Sequence, residues 1–191
     1  MTDFIYNIDL YIFTFLNQTI SNPLFDKFFP FITDPKNWFI AFIILWLTAI
    51  FKGGRLGKIS AIGIIVLIVI SDQVSSHLLK PFFERVRPCN VIENVNLLVN
   101  CTKSYSMPSS HAVNNFAAAI FFSRLFPKLK IALFVVATLV ALSRPIVGVH
   151  YFSDIFIGAL LGSILGYLIS VVALKIDKYI ETRFTNKTDI L

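Results

Sequence analysis

Four stretches of this chain, NWFIAFIILWLTAIF, ISAIGIIVLIVIS, IALFVVATLVAL and IFIGALLGSILGYLISVVAL, are apolar on every face. A helix half-buried against a soluble core keeps a polar stripe for water, and these have none, so lipid is their solvent. Composition agrees, with 56% hydrophobic residues, 15% charged residues and a mean hydropathy of +0.75 across 191 residues. The expected class is an all-α, polytopic transmembrane helical bundle. The N-terminus, MTDFIYNIDLYIF, lacks a basic region and a small-residue cleavage site, so no cleavable signal is expected and the first spanning helix targets the chain. The formal charge of +6 is explained by basic loops that set topology rather than by a nucleic-acid partner.

The chain shows no low-complexity tract, internal repeat or shift in composition, so residues 1–191 read as a single membrane-embedded domain. Asp34 and Pro35 start a helix that runs to Phe51. A second helix covers about Gly57 to Lys80 and is stopped by Pro81. A third opens at Ser109 or Ser110 and ends near RLFPKLK; a fourth covers Leu129 to Ser143, and a fifth Tyr151 to Leu174. Five spans place KGGRLGK, RLFPKLK and the tail KIDKYIETRFTNK on one side, which is then the cytoplasm. This orientation suits the inner membrane of a bacterium, with the opposite ends of the helices on the outer face. Before Asp34, Ile5, Ile8, Ile12, Phe15 and Leu16 form an apolar stripe and Asn7, Thr14, Asn17 and Gln18 a polar one. That pattern reads as an amphipathic helix on the outer surface, the alternative being a sixth short span.

Three polar clusters meet at the outer helix ends: KPFFERVRP, MPSSH and SRPIVGVHYFSD. Ionisable groups at membrane depth are costly unless paired, and they mark function. The Ser109–Ser110 pair opens a helix whose first N–H groups and dipole attract an anion. Lys80, Arg87 and Arg144 add cations suited to a phosphoryl group. His150 and Asp154, at i and i+4, set a carboxylate beside one imidazole nitrogen and leave the other basic. His111, at the positive end of a helix beside the same anion, is placed to protonate a leaving oxygen.

Lys80 with Arg87-Pro88, then PSSH, then SRPIVGVHYFSD resembles the three-part signature of the type 2 phosphatidic acid phosphatase superfamily, membrane branch. The resemblance implies that Lys80, Arg87, Ser109, Ser110 and Arg144 bind phosphate. It further implies that His150 becomes a phosphohistidine, that Asp154 holds it, and that His111 protonates the leaving group and later activates water. Ser110 departs from the pattern, which has glycine there; the backbone N–H is the group thought to be needed.

Several weaker readings accompany this one. Asp72, Gln73, Ser76 and His77 share a face with Lys80 and read as support for the site, or as helix-packing contacts. Arg85 and Lys103 read as side chains that snorkel to the interface. Asp154, Gly158, Gly162 and Gly166 recur every four residues and would admit a close helix, turning the catalytic face inward, or else form a dimer contact. Cys89 and Cys101 read as a disulfide on the oxidising side. No zinc ligand set or magnesium-binding carboxylate cluster stands out, so the expected enzyme needs no metal or other cofactor. The expected function is removal of phosphate from a membrane lipid phosphate or diphosphate at the outer face. A polyprenyl diphosphate is favoured over lipid A 1-phosphate, phosphatidylglycerol phosphate and phosphatidic acid, because the chain has no extra domain to read a head group. A small transporter or channel would also gather charge at helix ends, but has no need of the His150–Asp154 pair. Vanadate peroxidase chemistry uses a similar site on a soluble fold, which the lipid-facing runs oppose.

Overall fold

A computed structural model describes residues 2–188, and no strand occurs among them. The helices are α1 (Thr2–Thr14), α2 (Phe25–Thr33), α3 (Phe39–Lys52), α4 (Gly54–Asp72), α5 (Lys80–Phe83), α6 (Ser110–Leu125), α7 (Lys130–Ile146) and α8 (Phe152–Thr188). Within the described residues four helical stretches are long and apolar enough to cross a membrane: Pro35–Lys52, Gly54–Phe83, Pro127–Ile146 and Phe152–Arg183. The third expected span, α6, is not among these four and has 16 residues. It is the enclosed helix of the bundle, packed against α4, α7 and α8, with Ala112, Val113, Ala117, Ala119, Phe121 and Leu125 buried.

Asp34 starts the first span as expected, its carboxylate accepting from the Lys36 N–H at 3.0 Å. Pro81, however, does not stop the second. A π-helical stretch, Gln73–Leu79, links α4 to α5, and the chain stays helical to Phe83. The wider π turn relieves the clash that proline makes with the carbonyl four residues back. The turn is broken at Glu84, which adopts a left-handed φ of 47°. The last helix also exceeds its expected end at Leu174. Its continuation holds charged residues but no glycine or proline, and Arg55 at the start of α4 pairs with Asp177 at 2.6 Å.

The glycines of α8 face α6 within the same chain. A Cβ on Gly158 would come within 2.8 Å of the Ser109 carbonyl oxygen, and one on Gly162 or Gly166 would collide with the carbonyl of Val113 or Ala117. Small residues therefore bring the two backbones together. The N-terminal ends of α6 and α8 also meet through a bond from the Ser109 N–H to the Asp154 carbonyl, 3.0 Å.

Among the described residues, no helix before Pro35 reaches spanning length and hydropathy. The amphipathic N-terminal segment instead packs a mixed face inward, and Asn7 and Gln18 of its polar stripe are exposed. Asp9 and Asn17 are buried with Phe13, whereas Phe4, Ile8, Tyr11 and Phe15 are exposed; the Ile5 side chain lies outside the described residues. Asn17 pins this segment down: its Nδ2 donates to the carbonyls of Asn96 and Ile146, both at 2.8 Å, and its Oδ1 accepts from the Asn96 N–H at 2.9 Å. Gly148, with φ of 89°, is needed at this junction, since a Cβ there would lie 2.7 Å from Val95.

Candidate active site

The segment between α5 and α6 lies at the helix ends that carry the three clusters and is closed on itself by a bond between the sulfurs of Cys89 and Cys101. It carries Arg87, which is buried and held through nearly all its donors. Nε donates to the Ser104 carbonyl at 2.8 Å, Nη2 to the Ser104 hydroxyl at 3.0 Å, and Nη1 to the Val149 carbonyl at 3.0 Å. The same Nη1 lies 3.1 Å from His150 Nε2. A guanidinium has no acceptor to offer, so Nε2 presents its lone pair and the ring proton sits on Nδ1. Nδ1 in turn donates to Asp154 Oδ2 at 3.2 Å, an oxygen that also accepts the Tyr151 N–H at 2.9 Å. His150 precedes α8, in the turn after α7. Burial pushes its imidazole below the ordinary histidine value, and the Asp154 carboxylate draws it part of the way back. The result is a neutral ring with a free nitrogen aimed at a cation, as a nucleophile toward phosphate requires.

Arg144, in the last turn of α7, is buried; its Nη1 donates to Thr33 Oγ1 at 2.8 Å, and its Nε has no protein partner. Ser109 is the N-cap residue of α6, yet its hydroxyl makes no capping bond and is likewise buried without a partner. Lys80 lies within electrostatic reach of Arg87, Arg144, Asp154 and Asp72, and His111 within reach of Arg144, His150 and Lys80. The three clusters thus converge as one site. The Ser110 hydroxyl, where this chain departs from the glycine of the resemblance, is engaged by Ser75 at 3.2 Å and Ser76 at 3.3 Å on the π-helical stretch. Its side chain is turned to that stretch.

Of the supporting residues expected around Lys80, Asp72 accepts from the Ser76 hydroxyl at 3.1 Å. His77 does not join them and is exposed. The π turn advances fewer degrees per residue than an α turn, so a face counted at α spacing drifts off register across it. Arg85 corrects the sequence reading further. It does not snorkel: Nη1 donates to Asp154 Oδ1 at 2.7 Å and to the Ser153 hydroxyl at 2.5 Å, and Nη2 to Asp9 at 2.5 Å. Thr33 also went unread, although it contacts Arg144 by its hydroxyl and His111 by its backbone. Asp9 carried a signal, being a carboxylate in the middle of an apolar helix, the same cost that drew attention to Lys80. Thr33 carried none.

Residues 61–178 match the model of the PAP2 superfamily. A lipid A 4'-phosphatase of Porphyromonas gingivalis is 31% identical over 179 residues, covering 90% of this chain and 75% of that protein. A lipid A 4'-phosphatase of Bacteroides thetaiotaomicron is 28% identical over 190 residues, covering 95% and 84%. The solved transmembrane PAP2-type phosphatidylglycerolphosphate phosphatase of Bacillus subtilis superimposes with a TM-score of 0.71 over 90% of this chain and 87% of that one; at 24% identity this is a likeness of fold. The matched residues contain all three clusters, from Lys80 to Asp154, on a bundle of membrane-length helices, and the chain belongs to the PAP2 superfamily as an integral membrane phosphatase.

Proposed function

We propose that the protein removes a phosphate monoester from a lipid at the outer membrane face, through a phosphohistidine on His150. The observation that carries this reading is the pair of buried, unpartnered polar atoms, Ser109 Oγ and Arg144 Nε. Burying such groups costs about 1–3 kcal/mol each unless a ligand binds them; Arg144 lies within electrostatic reach of His150 and Arg87, and the Ser109 N–H bonds to the Asp154 carbonyl. A phosphoryl group there accepts from Ser109, Arg87, Arg144, Lys80 and the N–H groups that open α6. His150 Nε2 attacks phosphorus as the bond to the leaving oxygen breaks, and His111 supplies that oxygen with its proton. Water then attacks the phosphohistidine, giving its proton back to His111 and releasing inorganic phosphate. The cations neutralise the charge that develops, so this scheme asks for no metal.

The two lipid A 4'-phosphatases, matched over most of their length, favour a phosphorylated glycolipid of the lipid A type over the polyprenyl diphosphate suggested by chain length. Five crossings, with α6 as the short enclosed one, put the basic ends of α3, α4 and α8 in the cytoplasm of a bacterial inner membrane and the site on the outer face. The test is a panel in matched micelles with EDTA present: lipid A, a polyprenyl diphosphate, phosphatidylglycerol phosphate and a soluble sugar phosphate. Lipid A is expected to lead, and lipids to exceed the sugar ester in kcat/KM by at least about tenfold, because the bilayer fixes the height of the phosphate. A sugar phosphate equal to the best lipid would refute the lipid reading, and loss of activity in EDTA restored by magnesium would refute the metal-free scheme.

Orientation has its own check. In intact cells a membrane-impermeant thiol reagent is expected to label Cys89 and Cys101 only after an added reductant opens their bond. Labelling that requires opening of the membrane would place the site on the cytoplasmic side.

A further inference from the structure

Asp154 is bonded on both oxygens, and the partner of the second one is Arg85, which is held by a helix outside the residues that match the family. Asp9, on α1, is 4% exposed and Asp154 0% exposed, so each carboxylate needs compensation, and Arg85 lies between them. The guanidinium is fixed from three directions. Nη1 meets Asp154 Oδ1 and the Ser153 hydroxyl, Nη2 meets Asp9 Oδ2, and the planar group lies over the Tyr151 ring, 4.0 Å from its centroid. Asp9 does more than neutralise: its Oδ1 accepts the Ser153 N–H at 2.9 Å, and its Oδ2 accepts from the Ser153 hydroxyl. It therefore caps the free first turn of α8, the turn that carries Asp154.

We propose that Arg85 and Asp9 are positioning residues that fix Asp154 behind His150 and keep the charge at its back at one negative unit. The charges alternate along the row Asp9, Arg85, Asp154, His150. Arg85 alone would cancel Asp154 and leave the phosphohistidine, a cationic ring, without a counter-charge. Asp9 restores a net charge of −1 for the row of three, and its bonds to Ser153 fix the carboxylate's angle. The inference rests on His150 acting as the nucleophile, as proposed above. The other charged or titratable groups facing His150 are Arg87 from the loop before α6, His111 from α6 and Arg144 from α7; none is altered in the variants below.

The two substitutions have opposite electrostatic signs. Removing the Arg85 cation makes the surroundings of His150 more negative, which favours its protonated ring and raises its pKa. The acid limb of the kcat/KM profile, which reports the free enzyme, moves to higher pH in Arg85→Met. Removing the Asp9 charge in the near-isosteric Asp9→Asn does the reverse and moves that limb to lower pH. In Arg85→Met kcat falls by about 10–100-fold with KM within about threefold, because the phosphate ligands are untouched. Arg85→Lys, which keeps the charge but loses the fork, recovers the position of the limb and only part of kcat. A role in stability alone would lower the yield of folded protein without separating the two limbs.

The experiment is a set of pH profiles for wild type, the three variants and His150→Ala, in detergent, with the best lipid of the panel above. Limbs that move apart in the two signs, with Arg85→Lys between Arg85→Met and wild type in kcat, support the pair. With His150→Ala inert, limbs that move together or stay within about 0.2 pH unit of wild type overturn it. Should Arg85→Met not fold, Asp9→Asn and Arg85→Lys decide alone, by the downward shift in the first and its absence in the second. Activity in His150→Ala would instead overturn the phosphohistidine reading and the pair with it.

Discussion

His150→Ala is expected to lower kcat for phosphate release by at least about 10⁴-fold, the scale found when a covalent nucleophile is removed. The Nε2 lone pair of the ring meets Arg87 at 3.1 Å, and alanine leaves no nucleophile in its place. KM should change little, since Lys80, Arg87, Ser109 and Arg144 remain to bind the phosphoryl group. His111→Ala is expected to behave differently. An acid matters in proportion to the basicity of the leaving oxygen, so a lipid alkoxide suffers by about 10²–10³-fold, whereas an aryl phosphate loses far less. Release of inorganic phosphate from a lipid and from an aryl ester, followed for both variants, separates the two roles. Wild-type turnover in His150→Ala would sink the mechanism.

Gly162→Val is expected to cost the protein its fold rather than its chemistry. A Cβ at Gly162 would meet the Val113 carbonyl and lie 3.0 Å from the Ala117 nitrogen. Both are main-chain atoms of a helix, so no side chain can swing aside. Overpacking a core costs about 1–3 kcal/mol when side chains can adjust, and here whole helices must part, so the loss should exceed that range. The measurable result is a fall in the monodisperse fraction in detergent and in the midpoint of thermal unfolding. Ile164→Val, two residues on and exposed, should match wild type. Any folded Gly162→Val that survives should be slow, because Ser109 and His111 ride on α6 and Asp154 on α8, and a misplacement near 1 Å can cost about 100-fold in rate.

The parts of this protein that the sequence discloses are those carried by local pattern. Runs apolar on all faces name the long helices, and the i, i+4 spacing of His150 and Asp154 pairs the imidazole with its carboxylate, although His150 lies just before α8 rather than on it. What escapes is whatever depends on a register change or on distant chain. His77 was counted onto the Lys80 face at α spacing, and the π turn in between moved it off. Arg85 sits two residues from Arg87 among basic residues and looks like any interfacial cation; its role exists only because Asp9, 76 residues earlier, reaches it. The N-terminal stripe marks an amphipathic helix, but which of its residues meet protein depends on Asn96, Ile146 and Ser153 far along the chain.

The long reach of Asp9 also bears on when the enzyme comes to exist during its own synthesis. Asp9 and Ser153 are separated by 144 residues, and Asn17 waits for Ile146 across 129. At about 5–20 residues per second, the first helix spends roughly seven to thirty seconds at the membrane before its partners leave the ribosome. Its buried carboxylate must stay hydrated in that interval, which keeps α1 at the lipid surface and delays its docking. A nascent chain that has already threaded α3 and α4 through the bilayer therefore carries no working phosphatase. Hydrolysis begins only once the start of α8 arrives and the oldest part of the chain closes over the youngest.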